Sequence, residues 1–159
     1  MPGKALKDLK RIAVNPGWLC FAWFGMTAGI SLLESPARFA APALTRAAAL
    51  DLGRVVFAAL NKAELLALVL LLILVRISDS ARRLWSGAAA LALIVIAQSA
   101  WLLPELAARS QQIVAGGEPQ PSSVHGIYIA LELLKLLLLL LLGVRSLSLL
   151  DQSSNGLRV

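Results

Sequence analysis

The stretch HGIYIALELLKLLLLLLLGV, residues 125–144, decides the fold class of this chain. A helix of about 20 residues, rising 1.5 Å per residue, crosses the ~30 Å hydrocarbon core of a bilayer. The stretch has this length, and apart from its histidine its only ionisable side chains near neutral pH are Glu132 and Lys135. We therefore expect it to form a helix that spans a membrane.

Three more apolar stretches precede it, at residues 16–33, 52–77 and 84–103. The chain has 159 residues, of which 58% are hydrophobic and 15% charged. A soluble domain is closer to about half apolar and a quarter charged. These proportions predict an all-α protein, an integral membrane four-helix bundle.

Polar segments flank the four spans at both ends of the chain. We expect a basic N-terminal segment at 1–15, a single transmembrane domain at 16–151 and a polar C-terminal tail at 152–159. After the first span, residues 34–50 are rich in alanine and include two prolines. That composition predicts either a kinked continuation of the first helix or a segment lying along the membrane interface.

The loop before the last span is the clearest break in the chain. The third helix is expected to continue through residues 107–114 and to end before GGEPQP at 116–121, because glycine and proline interrupt helices. Ser122 or Ser123 then offers a side-chain cap for the start of the fourth helix.

The distribution of basic residues predicts the orientation in the membrane. Lysine and arginine near the spans favour the cytoplasmic side. With four spans, nine basic residues share the side of the two termini: Lys4, Lys7, Lys10, Arg11, Arg76, Arg82, Arg83, Arg145 and Arg158. Four lie on the other side: Arg38, Arg46, Arg54 and Arg109. We therefore expect a multi-pass protein of the cell inner membrane with both termini in the cytoplasm.

The same distribution bears on the partners. The net charge is +6, but the basic residues flank apolar spans and do not line one soluble face, which excludes a nucleic-acid-binding protein. Membrane lipid is the expected surrounding, together with other membrane subunits or further copies of this chain. Four tryptophans near span ends could anchor at the interface or fill helix contacts: Trp18, Trp23, Trp85 and Trp101.

One face of the fourth helix is polar. His125, Tyr128, Glu132 and Lys135 are spaced by three, four and three residues, so they share a face. Ionisable groups inside a bilayer cost roughly 2.5–3.5 kcal/mol each, so they usually face protein or water. Glu132 and Lys135 are close enough in the sequence to neutralise each other.

The other spans carry matching polar stripes. The second has Asp51, Arg54, Asn61 and Glu64, the third has Gln98, Trp101 and Glu105, and the first has Thr27, Ser31, Glu34 and Arg38. Together they predict a bundle with a partly polar interior. From these stripes we select Arg54, Asn61, Glu64, Gln98 and Glu105 as candidate partners of the fourth helix. The charges could be static pairs that fix helix register, a proton or ion relay, or a polar ligand site.

Small residues offer a candidate helix contact in the first span. Gly25 and Gly29 have the small-xxx-small spacing that allows two helix backbones to approach closely. They are the predicted helix-packing positions.

The sequence offers little for catalysis or metal binding. It has no nucleophile–base arrangement, phosphate loop or redox motif, so we expect a protein that is not an enzyme. His125 is the only histidine and Cys20 the only cysteine, which makes a poor metal site and predicts none. Whether any cofactor binds stays open, with a haem or pigment against His125 as one option.

Three functional hypotheses follow. The first is an accessory or scaffolding subunit that acts by association within a membrane assembly or homo-oligomer. The second is a small ion- or proton-coupled transporter or channel, with Glu64, Glu132 and Lys135 as an intramembrane charge relay. The third is a protein that binds a lipid, haem or pigment near His125.

Several stretches resemble a family of small four-helix membrane proteins that includes human transmembrane protein 205. The resembling stretches are FAWFGM, SPARFAAP, DLGRVVFAALNK, WLLPELAARSQQI and VHGIYIALELLKLLLLLLLGVRSL. The resemblance implies the four-helix architecture, and it implies that Arg54, Pro104 and His125 are family-typical positions. The loop between the third and fourth spans is short here, and the resemblance carries no biochemical activity over to this chain.

Overall fold

The computed structural model describes residues 12–78 and 81–155, with the backbone alone for 81, 82 and 151–155. The described residues form four long helices and no strand. Helix α1 is Pro16–Ala40, α2 is Arg46–Ile77, α3 covers 81–114 and α4 is Val124–Asn155. All four are long and apolar enough to cross a membrane, so the predicted all-α four-helix bundle is confirmed.

Side-chain caps determine where the helices begin. The Asn15 side chain accepts a hydrogen bond from the Gly17 N–H at 2.7 Å, and Pro16 occupies the first turn of α1. Thr45 caps α2 by accepting from the Ala48 N–H at 3.2 Å. The Ser122 hydroxyl accepts from the Val124 N–H at the start of α4.

The segment after the first predicted span continues the helix. Residues Ser35–Ala40 are α-helical, and α1 ends where Ala41 becomes extended before Pro42, as the residue preceding a proline prefers. The kinked-continuation alternative therefore describes residues 34–40, and α2 begins at Arg46, earlier than the span predicted at 52–77.

Two π-helical stretches interrupt α1 and α3, at Gly29–Glu34 and Gln98–Leu102. In each case a proline, Pro36 or Pro104, is the second residue after the stretch. A proline within a helix lacks an N–H and its ring collides with the carbonyl four residues earlier. The wider π-helical turn relieves that collision and rotates the side chains that follow it.

The four helices pack in a ring, α1 against α2, α2 against α3, α3 against α4 and α4 against α1. The apolar core fills the half of the bundle that contains the chain ends. Its buried members are Cys20, Trp23, Ala67, Leu68, Leu71, Val75, Leu84, Ala88, Leu91, Val95, Leu139 and Leu142. The loops 41–45 and 115–123 lie at the opposite end, called the loop end below.

Helices α1 and α4 are joined near the chain ends by a buried polar pair. Asn15 Nδ2 donates to the Ser146 carbonyl oxygen at 3.1 Å, and the Ser146 hydroxyl donates to Asn15 Oδ1 at 2.9 Å. Beside this pair the two backbones approach closely, because a Cβ added at Gly17 would lie 2.9 Å from the Gly143 carbonyl oxygen.

The predicted helix-packing positions, Gly25 and Gly29, make no close contact with another helix within the described part of the chain. A Cβ added at Gly25 or Gly29 would meet nothing within 4 Å, so no backbone comes close to either. The close backbone approach is at Gly17, where a Cβ would meet the Gly143 carbonyl oxygen of α4, and the space at Gly143 is taken by the Phe21 ring. No spacing within one helix predicts these contacts.

Five of the basic residues from which the orientation is predicted lie outside the described residues: Lys4, Lys7, Lys10, Arg11 and Arg158. The cytoplasmic placement of the termini stays a prediction.

Replacement of Gly17 by alanine should destabilise the bundle. The new methyl group would lie 2.7 Å from the capping Asn15 Oδ1 and 2.9 Å from the Gly143 oxygen, and overpacking of this kind costs about 1–3 kcal/mol. Gly25→Ala on the same helix is the matched control, since its methyl group has open space. Thermal unfolding in detergent should give a lower midpoint for Gly17→Ala alone; equal midpoints would contradict the close approach.

Candidate functional site

The centre of the bundle contains a buried lysine shared by two carboxylates. Lys135 Nζ lies 2.6 Å from Glu64 Oε1 and 2.8 Å from Glu132 Oε2. It also donates a hydrogen bond to Gln98 Oε1 at 3.0 Å. Lys135 is 0% exposed, and an ammonium has three N–H donors. These three acceptors therefore match its full donor capacity.

Further donors surround the two carboxylates. Trp23 Nε1 and Thr27 Oγ1 donate to Glu64 Oε1 at 3.1 and 2.9 Å. The second carboxylate, Glu132, accepts from Ser31 Oγ at 2.7 Å and from Gln98 Nε2 at 2.8 Å. All four helices contribute to this arrangement. We call it the polar cluster, with the members Trp23, Thr27, Ser31, Glu64, Gln98, Glu132 and Lys135.

The polar cluster is unbalanced in charge. Two carboxylates, Glu64 and Glu132, face one ammonium, so the cluster carries one excess negative charge when both are ionised and is neutral when one is protonated. Burial of an ion costs several kcal/mol unless charge-assisted hydrogen bonds compensate. The hydroxyl, indole and amide donors around the carboxylates provide that compensation.

The π-helical stretches of α1 and α3 lie at the level of the cluster. Ser31 belongs to the first stretch, and Gln98 and Ser99 belong to the second. Ser99 Oγ lies 2.5 Å from Asn61 Oδ1 and 2.7 Å from the Val95 carbonyl oxygen, and these two acceptors share its single hydroxyl proton. Such stretches are frequent at functional sites because they redirect side chains.

A cavity of about 560 Å³ lies between the polar cluster and the loop end. Its floor is polar and is formed by Ser31, Asn61, Ser99 and Glu132. Its walls are mostly apolar, with Leu32, Phe39, Leu50, Phe57, Ala58, Leu103, Leu106, Ala107, Ile129 and Leu133 among the lining residues. Arg38, Arg54 and His125 line the part nearest the loop end, called the rim below. This volume falls within the range of small-molecule sites.

Arg38 is the buried charge of the rim, with only 6% of its surface exposed. Its Nη1 donates to Glu34 Oε1 and Oε2 at 3.1 and 3.2 Å. Its Cζ lies 5.4 Å from the Phe39 ring centroid and 5.9 Å from that of Phe57. Its Nε is buried and has no hydrogen-bond partner among the residues that the structure describes.

An aromatic contact continues from Arg38 across the cavity wall. The rings of Phe57 and Tyr128 meet edge to face, with centroids 5.9 Å apart. Tyr128 is buried and lies one turn from Glu132 on the same face of α4. The wall thus connects α1, α2 and α4 between the rim and the floor.

The structure brings most of the predicted site residues together. Lys135, Glu132, Glu64 and Gln98 meet in the polar cluster, while Asn61 and Tyr128 line the cavity above it. His125 lines the rim and is exposed.

Two predicted residues have mainly surface contacts. Arg54 lines the rim, but its guanidinium pairs with exposed Asp51 at 2.8 Å. Glu105 is exposed, lies 3.8 Å from Arg109 and is outside the cavity lining. Its place on the polar face was wrong because the π-helical stretch at Gln98–Leu102 changes the helical phase before residue 105.

Sequence reasoning missed the roles of Trp23 and Arg38. Trp23 is 2% exposed and donates to Glu64, so it is not an interface anchor. Trp18, Trp85 and Trp101 remain exposed. For Arg38, the polar stripe of Thr27, Ser31, Glu34 and Arg38 on the first helix was the sequence pattern that could have indicated a role in the site. No sequence pattern indicated a role for Ser99.

The described residues include no group of three or more His, Cys, Asp or Glu side chains that could hold a metal ion.

Comparison of the chain with protein families, curated proteins and solved structures finds no match. The resemblance to the family of transmembrane protein 205 stays a prediction.

Removal of the shared cation should destabilise the bundle strongly. Lys135→Met leaves Glu64 and Glu132 buried without their ammonium, and loss of one member of a buried ion pair costs about 3–5 kcal/mol. Adding Glu64→Gln should recover part of that loss, because one buried charge is removed. Denaturant titration in mixed micelles measures the effect, with Lys62→Met at an exposed position of α2 as control. Equal stability of Lys135→Met and Lys62→Met would show that the ion pairs do not hold the helices together.

Proposed function

We propose that this membrane protein binds a small amphipathic molecule in the cavity between the polar cluster and the loop end. The observation that carries the proposal is the cavity itself, which has a volume of about 560 Å³, residues of all four helices in its lining, apolar walls and a polar floor. Ligand sites commonly combine apolar walls with a few polar groups that fix orientation. The hypothesis of a lipid or pigment near His125 is the one that this geometry favours.

The proposal is for binding without catalysis. The floor groups are already engaged, since Ser31 donates to Glu132 and the Ser99 hydroxyl proton is shared between Asn61 Oδ1 and the Val95 carbonyl oxygen. Glu132 accepts from Ser31 and Gln98 and pairs with Lys135, so its carboxylate is held in place within the polar cluster. These contacts support a static site that holds a ligand.

An accessory or scaffolding role stays a prediction. Large apolar side chains are exposed along the outward faces of α2 and α4, among them Leu66, Val69, Leu137 and Leu141. Such faces fit acyl chains and a neighbouring subunit equally well. A ligand-binding subunit of a larger assembly would unite both hypotheses.

Filling the cavity should abolish ligand binding. Ala107→Phe places a ring in the cavity, whereas Ala108→Phe places it at an exposed position outside the lining. The full chain in lipid nanodiscs is exposed to a long-chain fatty acid and to the matching fatty alcohol, each carrying a mid-chain diazirine. After irradiation, peptide mass spectrometry should find either probe on cavity residues of the wild type and of Ala108→Phe, and labelling at least about tenfold lower in Ala107→Phe. If neither probe labels the cavity of the wild type, the proposed function is wrong.

A second function, proton-coupled transport, is favoured by one observation. Glu132 lines the cavity and also shares Lys135 with Glu64, so a proton that enters the cavity meets the unbalanced cluster directly. The apolar core closes the bundle beyond the cluster. Transport would therefore need the helices to move, as in a carrier, and an open channel does not fit.

Proton movement through the cluster can be measured in proteoliposomes loaded with a pH-sensitive dye. After an acid jump, wild-type protein should acidify the lumen faster than empty liposomes. Glu132→Gln should lower the rate to that of empty liposomes, because the exchangeable carboxyl is gone. Glu105→Gln, exposed and outside the cavity, should leave the rate unchanged. A wild-type rate equal to that of empty liposomes rejects the relay.

A further inference from the structure

We propose that the ligand of this cavity is an amphipathic anion, with its carboxylate or phosphate head bound by Arg38 and its apolar body inside the cavity. The inference rests on the proposed function and specifies the chemistry of the ligand. It is carried by Arg38, a buried residue of the cavity lining whose Nε has no hydrogen-bond partner among the described residues.

The neighbours of Arg38 fix the position of its side chain. Gly53 is buried against the guanidinium, and a Cβ there would lie 2.7 Å from Arg38 Nη2. Phe39 and Phe57 lie within cation–π distance of Cζ. This packing holds a long side chain in one place, which lowers the entropy lost when an anion binds.

Arg38 has N–H donors that its protein partner does not use and that a ligand can bind. A guanidinium has five N–H donors in a planar fork that matches carboxylate and phosphate oxygens. Glu34 accepts from Nη1 alone, and buried Nε has no partner in the described part of the chain. Buried donors are normally paired, so the unpaired Nε leaves Arg38, a cavity-lining residue, with hydrogen-bonding capacity that Glu34 does not use.

The charges of the lining favour an anion at the rim. Arg38, Arg54 and Lys62 are the lining cations, and Glu132 is the lining acid. Glu132 lies at the floor and shares the single cation Lys135 with Glu64, so the polar cluster carries excess negative charge when both carboxylates are ionised. An anionic head is therefore attracted at the rim and repelled at the floor.

The size and depth of the cavity suit such a molecule. From Arg38 to Ser31 the helix covers seven residues, or about 10 Å at 1.5 Å per residue. Arg38 lies two residues before the end of α1 at Ala40, where a spanning helix reaches the level of lipid head groups. A lipid-like anion could thus keep its head at the interface and insert its apolar chain between the helices.

Glu34 is the internal competitor for the same guanidinium. Its carboxylate lies one turn before Arg38, with 34% of its side chain exposed. A bound anion has to share Arg38 with this carboxylate or displace it. Removing the Glu34 charge should therefore strengthen anion binding, without disturbing the buried packing of Arg38.

The experiment compares two photoactivatable probes that differ only in the head group. One is the diazirine fatty acid and the other is its fatty alcohol, each at the same mole fraction in nanodiscs that contain the full chain. The readout is the ratio of acid labelling to alcohol labelling at cavity peptides. Wild type should favour the acid by about tenfold, since charge-assisted bidentate contacts are the stronger ones.

Four variants separate the alternatives. Arg38→Gln should bring the ratio close to one, Arg38→Lys should give an intermediate value, and Glu34→Gln should raise the ratio above that of the wild type. Arg46→Gln is the control, because it removes an exposed positive charge at the loop end outside the cavity lining. If Arg38→Gln does not fold, Glu34→Gln still tests the role of the guanidinium.

The outcomes distinguish the two proposals. Equal labelling by acid and alcohol in the wild type, or a ratio unaffected by Arg38→Gln and Glu34→Gln, overturns the anion preference and leaves the binding function standing. Absence of cavity labelling by both probes overturns the binding function itself. Competition by free acetate or inorganic phosphate as strong as that by unlabelled fatty acid would show that the apolar body is not needed, and would overturn the amphipathic assignment.

Discussion

The bundle depends on one ammonium group, that of Lys135, which Glu64 and Glu132 share at 2.6 and 2.8 Å. In lipid, apolar helices gain little by packing against each other, because acyl chains are equally apolar. A buried cation that needs acceptors from two helices therefore restricts how those helices can rotate and slide. Gln98 extends the same restriction to α3, and Trp23 and Thr27 extend it to α1 through Glu64.

This constraint also explains why a cavity lies on one side of the cluster. Toward the chain ends, leucine, valine and alanine side chains close the interior. Toward the loop end, α1 and α3 pass through π-helical stretches before Pro36 and Pro104, and the lining includes serines and alanines where larger side chains would fill the space. The polar cluster holds the helices at one level, and the small residues beyond it leave the space between them open.

The sequence predicted the architecture because hydrophobic length is a strong signal in a membrane protein. It also predicted which residues of α4 share a face, since Tyr128, Glu132 and Lys135 follow helical spacing. The link between Lys135 and Glu64 was not predictable, because it depends on how two helices are rotated against each other. Trp23 was ambiguous for a related reason: an indole suits the membrane interface and a buried acceptor equally well.

The location of Arg38, the residue proposed to bind the anion, could not be predicted from the sequence for a different reason. Its segment contains prolines on both sides, so the end of α1 could not be separated from an interfacial segment, and the residue was counted as a charge outside the membrane. The π-helical stretch keeps the helix intact past Pro36 and brings the guanidinium against Gly53. Roughly 10 Å of helix then separates this cation from the floor at Ser31. A molecule in the cavity therefore meets a cation at one end and, at the other, a polar floor that contains Glu132, and this asymmetry favours an amphipathic anion over a neutral apolar ligand.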